Sequence, residues 1–74
     1  MNAVGPRVRQ ARLAGGLTQS ALAARLEVGG MKIDRAGVAK IEGRFRQVSD
    51  TELLALADAL GVSPGWLLEA DATK

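Results

Sequence analysis

The stretch Leu17-Thr18-Gln19-Ser20-Ala21-Leu22-Ala23, with Lys40-Ile41-Glu42-Gly43-Arg44 further along, decides how this chain folds. Thr18 stands where a hydroxyl can accept a hydrogen bond from an orphan amide of a helix that begins after it. Leu22 and Leu26 recur four residues apart with Ala23 beside them. That gives a helix from Thr18 to about Glu27 with one apolar stripe and a polar remainder carrying Gln19 and Arg25. Ala23 is small where a larger side chain would push a neighbouring helix away. A second helix is expected to open on Asp34 as N-cap and to run to Glu42, with Val38 and Ile41 turned inward and Gly43 ending it. The two helices then meet at a small apolar corner while the second keeps a polar face outward.

Working outward, three more helices follow from the same kind of signal. One runs from about Pro6 to Ala14, with Val4, Val8 and Ala11 on its apolar side and Gly15-Gly16 as its stop. Ser49, with Glu52 three residues on, is a capping box. Leu53, Leu56, Ala57 and Leu60 supply the buried stripe of the helix it opens, and Gly61 closes that helix. Ser63-Pro64 opens the last, since serine suits the N-cap and proline the first helical position, and leads into Trp66, Leu67 and Leu68. Nothing reads as a strand. Residues 1–4 and 70–74 are expected to be frayed.

Seventy-four residues make one small domain, near the size at which a single core is barely sufficient, so tight helix packing or dimerisation should help. The chain has no cysteine and no histidine. The usual nucleophiles, general bases and zinc ligands are therefore missing, and the eight carboxylates are scattered without a close pair, so an enzyme is not expected. Met1 to Pro6 holds no apolar signal core, and no run approaches the roughly 18 apolar residues that cross a bilayer. No membrane association, cofactor or metal is expected, and the expected location is the cytoplasm.

A net charge of +2 hides an uneven distribution. Residues 7–46 carry nine Lys or Arg against Glu27, Asp34 and Glu42 alone, a balance of +6. Residues 47–74 carry Asp50, Glu52, Asp58, Glu69 and Asp71 against Lys74 alone, a balance of −4. The chain is a dipole whose positive half coincides with the two helices of the opening stretch, which points to a polyanion as partner.

Two helices meeting at a small apolar corner, the second exposing a polar face within a basic half, have the form of a helix-turn-helix. The sequence resembles the phage-repressor (Cro and repressor, or xenobiotic-response-element, XRE) family across roughly residues 4–69. Val8-Arg9 and Arg12, then Gly16-Leu17-Thr18-Gln19 and Ala21-Leu22-Ala23, match the family's first two helices, and Val38-Ala39-Lys40-Ile41-Glu42-Gly43 matches its recognition helix and exit. Leu56-Ala57-Asp58-Ala59-Leu60-Gly61-Val62-Ser63, followed by Trp66-Leu67-Leu68, resembles the last two helices of short phage repressors. The resemblance implies an all-α, five-helix lambda-repressor-like domain that binds double-stranded DNA. In one respect the chain departs from the family: Val28-Gly29-Gly30-Met31-Lys32-Ile33 lengthens the turn between the two motif helices. The turn is a tolerated insertion, or Lys32 touches the DNA backbone, or Met31 and Ile33 pack beneath the turn and set the angle of the recognition helix.

Residues at the start of a recognition helix and one turn later face the major groove, so Arg35, Ala36 and Lys40 are the candidates for base edges, with Gly37 allowing close approach. An arginine can bind guanine O6 and N7 with two hydrogen bonds. Gln19, Arg44, Arg46, Lys32 and Arg9 are the candidates for phosphate, and Arg7 and Arg25 are weaker ones. The resemblance makes Arg12 and Glu42 an internal ion pair between the first helix and the recognition helix. It also implies a homodimer on an inverted-repeat operator, joined through Phe45, Val48, Pro64, Leu67 and Leu68, with Trp66 in the core. The expected function is a transcriptional repressor that needs no small-molecule ligand, of the kind represented by Cro-like repressors, restriction-modification controllers and antitoxins. The alternative is a module that docks on a toxin, a sigma factor or RNA polymerase and binds DNA weakly.

Overall fold

The computed structural model describes residues 4–69, and over them the chain forms five helices and no strand: α1 (Gly5–Ala14), α2 (Gln19–Val28), α3 (Arg35–Glu42), α4 (Asp50–Leu60) and α5 (Pro64–Leu68). Four of the five begin on a side-chain cap. The Ala21, Gly37, Glu52 and Trp66 amides donate to the side-chain oxygens of Thr18, Asp34, Ser49 and Ser63 at 3.0, 2.8, 3.2 and 3.1 Å. Each satisfies an amide that its helix leaves orphaned, so the starts are fixed locally. Residues 1–3 and 70–74, expected to be frayed, lie outside the described residues. Val4 belonged to the same expectation, and here the structure differs: its side chain is buried in the core.

Val8, Leu22, Leu26, Val38, Ile41, Leu56 and Leu67 are fully buried and come from all five helices. α2 packs on α3 and α4, and α1 closes the far side against α3, α4 and α5. Gly5 makes the α1–α3 approach possible: a Cβ there would collide with the carbonyl oxygen of Ile41 and lie 3.0 Å from that of Glu42. Ala23 is buried at the helix corner, where its small side chain fits.

The lengthened turn is a packed element. The Met31 amide donates to the Leu26 carbonyl at 2.9 Å, and the Met31 side chain enters the core. Ile33, just before the Asp34 cap, packs against Gly37 where a Cβ would stand, forming a hydrophobic clamp on the first turn of α3. The glycine at 37 is thus explained within the protein, by room for Ile33, whereas the sequence suggested room for a ligand.

Between α3 and α4, Arg46 grips Glu52 with both ends of its guanidinium, at 3.1 and 2.7 Å, and the Ser49 amide donates to the same carboxylate at 3.1 Å. The Arg46 hydrogen bonds, followed by that from Ser49, hold the Glu52 carboxyl below the usual carboxylate range. The folded state therefore favours the charged form. Its stabilisation is complete above the ordinary glutamate pKa and is lost as pH falls through the lowered folded value. Glu52→Gln is expected to cost about 1 kcal/mol at neutral pH and to flatten the acid side of the stability profile. Urea unfolding across that pH range reads both effects, and an unchanged acid slope would show that Glu52 does not contribute it.

Candidate nucleic-acid interface

α3 divides into two faces. Val38, Ile41 and Glu42 are buried, whereas Arg35, Ala36, Ala39 and Lys40 are exposed together on the other side. Arg35 stands between two shallow clefts. One is lined by Arg12, Thr18, Gln19 and Ser20 at the mouth of α2, and the other runs along α2 past Ser20, Ala23, Ala24 and Glu27 to Lys32 and Arg46. Ala39 was not singled out from sequence. It adds a second methyl beside Ala36 on the exposed face, and such methyls suit close approach and contact with a thymine methyl.

The orientation of α3 is set from beneath. Arg12 Nε donates to Glu42 Oε2 at 2.6 Å and its Nη2 to Oε1 at 3.1 Å, with the two side chains only 9% and 4% exposed. Arg12 Nη1 also donates to the Leu17 carbonyl at 2.8 Å, and Gln19 Nε2 donates to Glu42 Oε1 at 3.3 Å. One carboxylate at the end of α3 thus ties down α1 and the mouth of α2. Gln19 is a brace between motif helices, with its side-chain amide nitrogen engaged internally.

The nine basic residues of the positive half fall into two groups. Arg7 is buried with its guanidinium 4.3 Å over the Trp66 ring, and it donates to the Glu69 carbonyl at 3.3 Å. Arg12 is taken by Glu42, Arg46 by Glu52, and Arg25 donates to the Ala59 carbonyl at 3.3 Å. Arg9, Lys32, Arg35, Lys40 and Arg44 are exposed and make no side-chain hydrogen bond or ion pair among the described residues. Two phosphate candidates are corrected by this partition. Arg7 holds α5 and Trp66 in place, and the Arg46 guanidinium is occupied on both faces of its fork by Glu52.

One of the interface residues expected from sequence is corrected as well. Leu67 has no exposed surface and is core, so it presents nothing to a second chain. Phe45 and Leu68 are exposed large hydrophobics, while Val48 and Pro64 are half-buried. Leu54, on α4, is a further exposed apolar residue.

Two helices capped by Thr18 and Asp34, packed at Ala23, with a free basic face on the second, carry the geometry of a helix-turn-helix. A family model described as helix-turn-helix matches residues 8–67. The chain belongs to the helix-turn-helix family, of the XRE type. The restriction-modification controller protein C.AhdI from Aeromonas hydrophila is similar in structure, with 36% sequence identity and a TM-score of 0.76 over 89% of this chain and 92% of that one. No curated protein matches the sequence. The protein is accordingly a DNA-binding transcriptional regulator. Among the described residues no helix is long and apolar enough to cross a membrane, and no group of side chains could hold a metal ion.

Proposed function

We propose that the protein binds an inverted-repeat operator as a homodimer and represses transcription by occupying promoter DNA. The observation that carries this reading is the division of the basic residues. Arg7, Arg12, Arg25 and Arg46 are spent on internal partners, while Arg35 and Lys40 are left free on one exposed face of the helix that enters the groove and Arg9, Lys32 and Arg44 are left free outside it. Arg35, Ala36 and Lys40 read base edges. Arg9, Lys32 and Arg44 contact phosphates, and Gln19 contributes at the mouth of α2, where unpaired helix amides favour an anion. A single recognition helix covers only a few base pairs, so specificity calls for two copies, with half-sites about 34 Å apart. Exposed Phe45 and Leu68, with Val48 and Pro64 beside them in the same segments, supply apolar surface for that contact.

Among regulators of this size the likeness to a restriction-modification controller favours that role for this chain as well. Selection of binding sites from randomised duplex DNA at near-physiological salt tests the reading. The expected product is an inverted repeat with half-sites one helical turn apart. Enrichment of a lone half-site would contradict the dimer, and no enrichment would contradict sequence-specific binding altogether.

A further inference from the structure

Four helices of this protein end by the same device. After α1, α2, α3 and α4 the chain makes a pair of backward amide bonds: Gly16 to Leu13 and Leu17 to Arg12, Gly30 to Glu27 and Met31 to Leu26, Arg44 to Ile41 and Phe45 to Lys40, Gly61 to Asp58 and Val62 to Ala57. This terminator needs one residue with a left-handed backbone followed by one that is usually apolar and packed. Three of the four meet both requirements. Gly16, Gly30 and Gly61 take the left-handed position, at φ of 71°, 99° and 70°, and Leu17, Met31 and Val62 are at least half-buried. The exit of α3 meets the first without a glycine and leaves its apolar residue exposed. Arg44 takes the left-handed position at φ 66°, and Phe45 after it is 85% exposed. A side chain in this region is strained by contact with its own backbone, so a glycine would end α3 at lower cost, as it does elsewhere in the same chain.

The strained residue is also aimed. Gly5 lacks a Cβ where one would lie 3.1 Å from Arg44 Cγ, so the stem of Arg44 crosses the bare backbone of α1 on its way out. Beyond that seat its guanidinium is exposed, with no hydrogen bond or ion pair among the described residues. A left-handed backbone and a glycine seat together restrict where this cation can point before any partner arrives. Strain held at such a place, against the pattern of the rest of the fold, is what a functional contact produces.

We propose that Arg44 is a pre-aimed contact to the DNA phosphate backbone, kept where glycine would be more stable, so that the free domain gives up stability to fix how α3 sits in the groove. The proposal rests on the DNA-binding reading and adds to it a trade between stability and affinity at one residue. Alanine keeps the left-handed strain and removes the guanidinium, whereas glycine removes both.

The test is thermal unfolding of wild type, Arg44→Ala and Arg44→Gly, and titration of each against a short mixed-sequence duplex over a range of salt. Arg44→Ala is expected to melt close to wild type, to bind about fivefold more weakly at physiological salt, and to reduce the salt slope by about one. Arg44→Gly is expected to melt on the order of 4 °C higher and to lose at least as much affinity. Unchanged affinity and salt slope in Arg44→Ala, or a lower melting point in Arg44→Gly, would overturn the proposal while leaving wild-type DNA binding in place. Failure of the wild type to bind any duplex would instead sink the DNA reading and the proposal with it.

Discussion

Glu42→Ala is expected to destabilise the domain by about 3–5 kcal/mol, because it strands the Arg12 guanidinium in a site with almost no access to water. The carboxylate accepts from Arg12 Nε, Arg12 Nη2 and Gln19 Nε2, so a single truncation releases the joints of α1 and of α2 to the end of α3. A small domain holds only about 5–15 kcal/mol in total, and this loss is a large fraction of it. Urea unfolding followed by circular dichroism measures the change. Replacing both partners, Arg12→Met with Glu42→Leu, should be less damaging than Glu42→Ala alone, since no charge is left without its partner. A single variant as stable as wild type would mean that the pair is not shielded from water as its geometry indicates.

The second large effect falls on binding and spares the fold. Arg35 and Lys40 are exposed on α3 and contribute nothing to the core, so Arg35→Ala with Lys40→Ala should unfold within about 0.5 kcal/mol of wild type. On the selected operator the same variant should lose about 1–3 kcal/mol for each base contact removed. On a scrambled duplex it should lose much less, because the phosphate contacts proposed for Arg9, Lys32 and Arg44 would remain and carry no sequence information. Titration of both duplexes at one fixed salt concentration separates these outcomes. Equal losses on the two duplexes would make Arg35 and Lys40 phosphate ligands and not readers of sequence.

The two predictions draw on different parts of what the residues reveal by themselves. Helix starts were legible because each is a local hydrogen bond between neighbours in sequence, as at Thr18, Asp34, Ser49 and Ser63. The end of α3 was less so. Gly43 marks a stop, yet its φ is −83° and the left-handed residue is Arg44, one place later, so the glycine rule pointed at the neighbour of the residue that turns the chain. Gly43 has its own reason, since a Cβ there would lie 2.7 Å from the Phe45 ring. Which arginines are free was also hidden. Arg46 finds Glu52 across an irregular segment, and Arg7 finds Trp66 from the opposite end of the chain, and no helical spacing announces either partner. Leu67 and Leu68 are adjacent on a five-residue helix, too short for periodicity to tell the inward side chain from the outward one.

The central claim is that the exposed face of α3 reads sequence, and the most direct measurement compares wild type with Arg35→Ala on the selected operator and on each single base-pair variant of it. The account predicts that wild type discriminates at one position per half-site through Arg35, by about 1–3 kcal/mol, and that Arg35→Ala binds all variants at that position alike while keeping its preferences elsewhere. Contradiction would come from an Arg35→Ala protein whose preferences match those of the wild type at every position.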